Sequence, residues 1–274
     1  MRARTRDRAD DVASGDLLEA IVGATRARVD ASQHTWPEAE VRRRAAARRP
    51  RCREFSAALA RHDRVNVIAE CKRRSPVKGV LRWDYDPTAI AQGYVQAGAA
   101  AVSVLTEPTF FDGRITHVSE VRAAVTVPVL RKDFIVCEYQ LLETRAAGAD
   151  AVLLIVAALD DGTLRRLLRA AEGLELAALV EVHDERELDC ALAAGATIVG
   201  VNNRDLRTLE VDVATSTRLI ELIPGGITAV AESGLRSLDE VRTLREGGYG
   251  AFLIGEALMA APDPGRALES LLTN

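Results

Sequence analysis

Five ionisable side chains stand at or near the ends of apolar runs. Glu70 and Lys72 close VNVIAECK (65–72), Lys132 lies in VPVLRKDF (127–134), Glu181 in LAALVEV (176–182) and Glu232 in TAVAESG (228–234). Each run has the composition and length of a buried strand. One such charge would be a solvated loop entrance. Charges at the same place in four successive units point to one shared polar site, and in a closed parallel barrel that place is the catalytic face. Lysines and carboxylates brought together there suit acid–base or imine chemistry. Glu70 and Lys72 are two residues apart and share a strand face. A plain ion pair is the bland alternative, but the basic turn RRSPVKG (73–79) that follows suits an anionic substrate. Lys132, in a partly desolvated mouth, is expected to have its pKa pulled toward neutrality, as a general acid requires. Glu181 is expected across the barrel from it as the complementary base. Arg131 and Asp133 should point outward and pair. Asn202 can donate to and accept from hydroxyls, and Arg204 with Asp205 opens the next loop, as a substrate contact or as an internal ion pair.

These side chains need a scaffold, and a repeat supplies it. GAAAVSVL, GADAVLLI, GATIVGVN and GYGAFLIG begin at Gly98, Gly148, Gly195 and Gly248, spaced 50, 47 and 53 residues apart. Each glycine closes a helical pattern, as a left-handed C′ residue does. That period holds two strand–helix units of about 25 residues, so four copies give eight strands. Amphipathic spacing predicts helices over 87–97, 138–147, 185–194, 238–246 and 265–272. Asp86 before Pro87, Asp184 and Ser237 mark helix starts, and Ser237 with Glu240 has capping-box spacing. Strand–helix alternation repeated eight times predicts an α/β fold, a (β/α)8 TIM barrel with an extra N-terminal helical segment. The boundaries read as a charged N-terminus over 1–13, a helical extension over 14–64 and a catalytic barrel over 65–274, together one domain. Within the extension, Leu17, Leu18, Ile21 and Val22 predict a short amphipathic helix and residues 37–60 a second, arginine-rich one. This extension is expected to close the barrel bottom or to lie across its mouth.

Composition narrows the function. The chain has 274 residues, 48% apolar and 28% charged, with a net charge of −4. An acidic balance excludes a nucleic-acid footprint, so the arginine run from Arg42 to Arg53 reads as a solvated helical face. No apolar run is long enough to span a bilayer and the charged N-terminus has no signal-peptide core, so a cytoplasmic protein without membrane partners is expected. Cys52, Cys71, Cys137 and Cys190 are far apart and the four histidines are scattered, so neither a disulfide framework nor a metal site is expected. Cys71, between Glu70 and Lys72, should be buried on the outer face. No dinucleotide glycine fingerprint is present, and no cofactor is expected. Gly234, after the seventh strand, and Gly255, ending the eighth, stand where barrel enzymes bind phosphate through backbone N–H groups. Glu256 suits an anion only if its N–H faces the phosphate and its side chain turns away.

Seven ordered segments carry a family resemblance: VIAECKRRSPVKG (67–79), SVLTEPTFFDG (103–113), VPVLRKDFIVCEYQ (127–140), ALVEVHDEREL (178–188), GVNNRDLRTLEVD (200–212), AESGL (231–235) and LIGEALM (253–259). Together they resemble indole-3-glycerol-phosphate synthase of tryptophan biosynthesis, and DLLEAIVGATRARV resembles that family's extra N-terminal helix. The resemblance implies a lyase that closes the ring of 1-(2-carboxyphenylamino)-1-deoxyribulose 5-phosphate with loss of carbon dioxide and water. It implies Lys132 as the acid at the carbonyl, Lys72 at the substrate carboxylate, Glu181 and Glu70 as bases and Asn202 on the hydroxyls. Arg204, Glu232 and Ser233 would line the site. Phosphate would lie against Ser75, Gly234, Gly255 and the N–H of Glu256. Phe110, Phe111 and Phe134 are available to hold the aromatic ring. Where the family reads SPS, this chain reads SPV, and Val77 removes a hydroxyl from that loop. The expected partner is this small phosphorylated substrate, handled by a monomer or at most a weak oligomer. Another phosphate-binding barrel enzyme, an isomerase or Schiff-base aldolase, is the alternative, followed by a barrel that binds a phosphorylated ligand without turnover.

Overall fold

A computed structural model describes residues 17–235 and 237–273. The charged stretch 1–13 lies outside the described residues. Eight strands form a closed parallel barrel: β1 (Val67–Cys71), β2 (Ala101–Leu105), β3 (Val129–Lys132), β4 (Ala151–Ile155), β5 (Ala177–Val182), β6 (Ile198–Asn202), β7 (Thr228–Glu232) and β8 (Ala251–Ile254). Each pairs with the next, and β8 closes on β1 through Val67 opposite Phe252 and Ala69 opposite Ile254.

Strand alternation sorts the side chains into two cores. Ile68, Leu130, Leu153, Leu179, Ile198, Val230 and Leu253 fill the barrel interior. Val67, Cys71, Val104, Val152, Val180, Val201 and Phe252 face the helices. Cys71 is fully buried on that outer face, and burial pushes its thiol well above the ordinary value. Arg131 and Asp133 also turn outward, forming a fully buried ion pair at 2.9 Å that Thr106 completes by donating to Asp133 at 2.6 Å.

The helix ends follow the expected chemistry. Asp86 accepts from the N–H of Thr88 and Ala89, Asp184 from that of Glu187, and Ser237 forms a capping box with Glu240. Gly98, Gly148, Gly195 and Gly248 all have positive φ, between 92° and 119°. Three further helices, Ile115–Ala124, Asp161–Gly173 and Ala214–Ile220, follow the even strands β2, β4 and β6.

The N-terminal extension differs from its expected form. α1 (Leu17–Thr35) runs for 19 residues, held by Arg28 on Asp133 at 2.9 Å and by Val29 packing beside Tyr139 and Leu142. Residues 37–60 form two helices, α2 (Glu38–Ala46) and α3 (Cys52–Leu59), because Pro50 cannot continue a helix. The extension reaches both ends of the barrel. Phe55 and Leu59 of α3 plug the bottom of the interior core, whereas Leu17 and Ile21 of α1 reach the mouth. The arginine face of α2 is solvated: Arg42 pairs with Glu38, Arg43 and Arg44 with Glu40, and Arg44 also stacks 3.9 Å over Trp36.

Candidate active site

The C-terminal ends of the strands open into a cavity of about 440 Å³. Glu70, Lys72, Ser75, Lys132, Phe134, Glu181, Asn202, Arg204, Glu232, Ser233, Gly234, Gly255 and Glu256 all line it. Phe110 does not. It stands in the single helical turn Pro108–Phe111 beside Phe111, and neighbours in a helix point about 100° apart. Phe111 therefore faces the cavity, its ring 6.3 Å from that of Phe134, while Phe110 packs against the interior core. Leu17, Ile21, Leu153, Ile155 and Leu253 add an apolar wall that the charged strand ends did not reveal.

The polar floor is one layer contributed by the odd strands: Glu70 from β1, Lys132 from β3, Glu181 from β5 and Glu232 from β7. Barrel interiors stack in such layers, alternate strands supplying each one. Lys132 Nζ donates to Glu181 Oε2 at 3.2 Å and lies 3.5 Å from Glu232 Oε2. Lys72 Nζ is 2.7 Å from Glu70 Oε1. Glu181 thus touches Lys132 directly rather than standing across the barrel from it, since two strands of spacing let their side chains converge at the axis. Asn202 donates to Glu181 Oε1 at 3.0 Å and accepts the N–H of Arg204 at 3.0 Å.

The electrostatics of Lys132 run opposite to the expectation from desolvation. Burial does disfavour its charge, but the fields of Glu181, Glu232 and Glu70 outweigh it and raise the ammonium above the ordinary lysine range. Glu181 is the mirror case: burial would raise it, yet Lys132, His183 and the Asn202 hydrogen bond hold it below the ordinary range, and it is ionised. Glu232 absorbs the conflict. Burial, helped by Glu181 and Glu70 and opposed by Lys132, raises it from 4.5 to about 8, and neither of its carboxylate oxygens has a hydrogen-bond partner among the described residues.

Glu232 therefore carries a stability cost with a defined pH window. A raised carboxyl contributes stability that is present below pH 4.5 and lost as pH rises through about 8, because the folded chain keeps a proton that the unfolded chain releases. Glu232→Gln is expected to stabilise the fold at pH 9 by roughly 3–5 kcal/mol and to change little at pH 4.5. Urea unfolding at both pH values measures this, and an equal effect at both would refute it.

Glycines on the even strands make the charged layer possible. A Cβ at Gly200, which pairs with Glu181 in register, would collide with the Glu232 carboxylate, coming within 3.2 Å of its carboxyl carbon. A Cβ at Gly255 would lie 2.9 Å from Glu70 Cβ. The expectation that Gly255 serves close approach to a phosphate gains a second requirement: it leaves the space that Glu70 occupies. Gly234 follows Ser233, and both have positive φ, 79° and 64°. Asn203, a residue absent from the sequence-based site, steadies that corner by donating to the Ser233 carbonyl at 3.0 Å while accepting from Ser216.

The rim is basic and cross-braced. Ser75 is buried and its hydroxyl accepts the N–H of Lys78 at 3.1 Å, within a short ladder that pairs Arg74–Ser75 with Gly79–Val80. This ladder orders the loop that holds the exposed Val77 without a hydroxyl at that position. The Glu256 carboxylate does not turn away from the site. It pairs with Lys78 at 2.9 Å and Arg204 at 3.3 Å, so it occupies two cations at the cavity edge. Asp205 caps its own turn by accepting from the N–H of Arg207 and Thr208, and is not the partner of Arg204.

This barrel geometry recurs in solved structures of low identity. Thiamine phosphate pyrophosphorylase from Pyrococcus furiosus superimposes with a TM-score of 0.58 at 17% identity, covering 76% of this chain and 93% of that one. The N-acetylmannosamine-6-phosphate 2-epimerase from Clostridium perfringens gives 0.54 at 14%, covering 70% and 86%. At such identity the likeness concerns the fold alone. Sequence relatives are nearer. The indole-3-glycerol phosphate synthase of Chromobacterium violaceum is 47% identical over 259 residues, 93% of this chain and 97% of the relative. Indole-3-glycerol phosphate synthase 2 of Streptomyces coelicolor is 51% identical over 227 residues, 83% and 88% of the two chains. A family profile described as indole-3-glycerol phosphate synthase matches residues 18–271. That match takes in nearly all of α1 and all eight strands, the four whose ends form the charged layer among them, and the chain belongs to the indole-3-glycerol phosphate synthase family.

Proposed function

We propose that this chain converts 1-(2-carboxyphenylamino)-1-deoxyribulose 5-phosphate into indole-3-glycerol phosphate, carbon dioxide and water. The observation that carries the reading is a charged Lys132 ammonium between the Glu181 and Glu232 carboxylates at the floor of an apolar, aromatic-walled cavity with a cationic rim. Lys132 donates its proton to the substrate carbonyl as the aromatic carbon attacks. Glu181, ionised and in contact with Lys132, removes the proton from the carbon next to the new bond. Each step aids the other: once Glu181 takes up a proton its field on Lys132 falls, and the ammonium becomes a better acid. Lys72, paired with Glu70, meets the substrate carboxylate, and Glu70 assists loss of the hydroxyl. Asn202 holds the hydroxyls, and Phe111 and Phe134 flank the ring. Phosphate sits against Ser75, Ser233, Gly234, Gly255 and the N–H of Glu256, competing with the Glu256 carboxylate for Lys78 and Arg204. Every group comes from one chain, which supports a monomer as the working unit. Among the described residues no helix is long and apolar enough to cross a membrane, and we assign the reaction to the cytoplasm.

A Schiff-base aldolase would need a neutral lysine, and the carboxylates around Lys132 hold it charged. Incubation of the purified chain with the carboxyphenylamino substrate is expected to generate indole fluorescence. Silence at every pH from 6 to 9, or a borohydride-trapped covalent adduct, would overturn the assignment.

A further inference from the structure

The ring closure proposed above consumes a proton. The substrate carboxylate leaves as neutral carbon dioxide, so one negative charge disappears. The carbonyl oxygen takes one proton as the carbon–carbon bond forms and a second as it departs as water. One proton is returned from the adjacent carbon when the double bond forms. The site must therefore import one proton per turnover while substrate fills the cavity.

His183 lies on a route for it. It follows β5, two residues beyond Glu181. Its Nδ1 is 2.9 Å from Glu187 Oε2, and the same oxygen accepts the His183 backbone N–H at 2.8 Å. An ionised carboxylate only accepts, so Nδ1 carries a proton. That leaves Nε2 facing Glu181 Oε1 at 3.5 Å, without a hydrogen-bond partner among the described residues. A neutral imidazole in this tautomer would set its lone pair against a carboxylate oxygen. The contact is favourable only with a proton between them. Glu181 uses its other oxygen, Oε2, toward Lys132, so one carboxylate bridges the imidazole and the ammonium. The His183 side chain keeps 13% of its surface exposed and is not among the residues lining the cavity; Nε2 itself is buried, so the ring meets solvent by another edge, apart from the bound substrate.

The titratable groups facing the imidazole are Glu181 on the strand before it, Glu187 on the helix Glu185–Ala194 and Glu232 on β7, which is charged only above about pH 8. Burial opposes charging of the ring, but the Glu187 hydrogen bond and the three carboxylate fields outweigh it, so His183 keeps its proton above the ordinary histidine range.

We propose that His183 is the relay that supplies the consumed proton. The proton moves from Nε2 of the imidazolium to Oε1 of Glu181, and from Oε2 of Glu181 to Nζ of Lys132 after Lys132 has given up its own. Nε2 is buried against Glu181, so between turnovers the ring turns that nitrogen toward its exposed side, where water recharges it. His183 acts through Glu181, so it is a relay and positioning residue and not a catalytic one. The inference rests on the ring-closure reading, because only a proton-consuming reaction needs the supply.

The test is a pH profile of His183→Gln beside the wild-type chain. In the variant kcat is expected to fall about tenfold at pH 8 and less at pH 6, where protons are abundant, with KM within about twofold. Added imidazole should restore part of the loss. A purely structural role would lower kcat equally at all pH values and resist imidazole, and that result, or an unchanged kcat, overturns the relay. Should His183→Gln not fold, Glu187→Gln decides: without that carboxylate the imidazole loses its proton at lower pH, and the alkaline limb of kcat is expected to move down. An unmoved limb overturns the relay. No product from the wild-type chain would overturn the ring-closure reading and the relay with it. Wild-type turnover with variants that match it would overturn the relay alone.

Discussion

Lys132→Ala is expected to lower kcat by roughly 10³-fold or more while KM changes by less than about fivefold. The asymmetry follows from what the side chain touches. Lys72, Lys78 and Arg204 remain to hold the substrate's carboxylate and phosphate, so ground-state binding survives. The proton donor to the carbonyl is lost outright. A second loss compounds the first. Lys132 heads the influences that hold the buried Glu181 ionised against burial, ahead of His183 and Asn202, so its loss also weakens the support of the neighbouring base. One substitution therefore removes the acid and perturbs the base, and the loss should exceed that of Glu181→Gln, in which the ammonium is retained. Steady-state kinetics by indole fluorescence, with substrate binding by calorimetry, separate the two quantities. A Lys132→Ala chain that keeps more than about a tenth of wild-type kcat would show that the ammonium beside Glu181 is not the acid.

The sequence was informative where local chemistry decides the outcome. Charged strand ends, caps at Asp86, Asp184 and Ser237, and the four glycines with positive φ depend on neighbouring residues, and each lies where the spacing put it. The helices missing from the pattern, Ile115–Ala124, Asp161–Gly173 and Ala214–Ile220, have a shared reason. None ends on a left-handed glycine. The first closes into extended backbone at Val125, the second turns through Glu175 at a φ of 55°, and the third ends at Glu221 with right-handed backbone. The glycine signal therefore marked only the helices after odd strands. The direction of the Lys132 shift was illegible for a different reason. It depends on three carboxylates from β1, β5 and β7 meeting one ammonium, and no spacing along the chain encodes that sum. The same holds for Glu256, whose partners Lys78 and Arg204 lie on two separate loops. Phe110 and Phe111 were indistinguishable as neighbours until the helical turn at Pro108–Phe111 turned only one toward the cavity.

Gly255→Ala is expected to lower kcat/KM by roughly 10²-fold or more with the fold intact, an effect equivalent to about 3 kcal/mol. The added methyl would lie 2.9 Å from both Glu70 Cβ and its carboxyl carbon, and it would overlap the carboxylate itself. A backbone collision would unfold the strand. Here the obstacle is one side chain facing an open cavity, and the φ at position 255 is negative, −130°. The Glu70 carboxylate can swing aside, but its Cβ is fixed by the β1 backbone, so the ends of β1 and β8 must also shift apart, and the 2.7 Å contact with Lys72 moves with them. Lys72 is then released from the orientation that meets the substrate carboxylate, so KM rises along with the fall in kcat, unlike the Lys132 case. The contact makes a double-mutant prediction. In a Glu70→Gly background the methyl meets neither the Cβ nor the carboxylate, and Gly255→Ala should cost less than about threefold more. Additive losses in the two backgrounds would place the effect of Gly255 in the backbone and remove the steric argument for a glycine beside the charged layer.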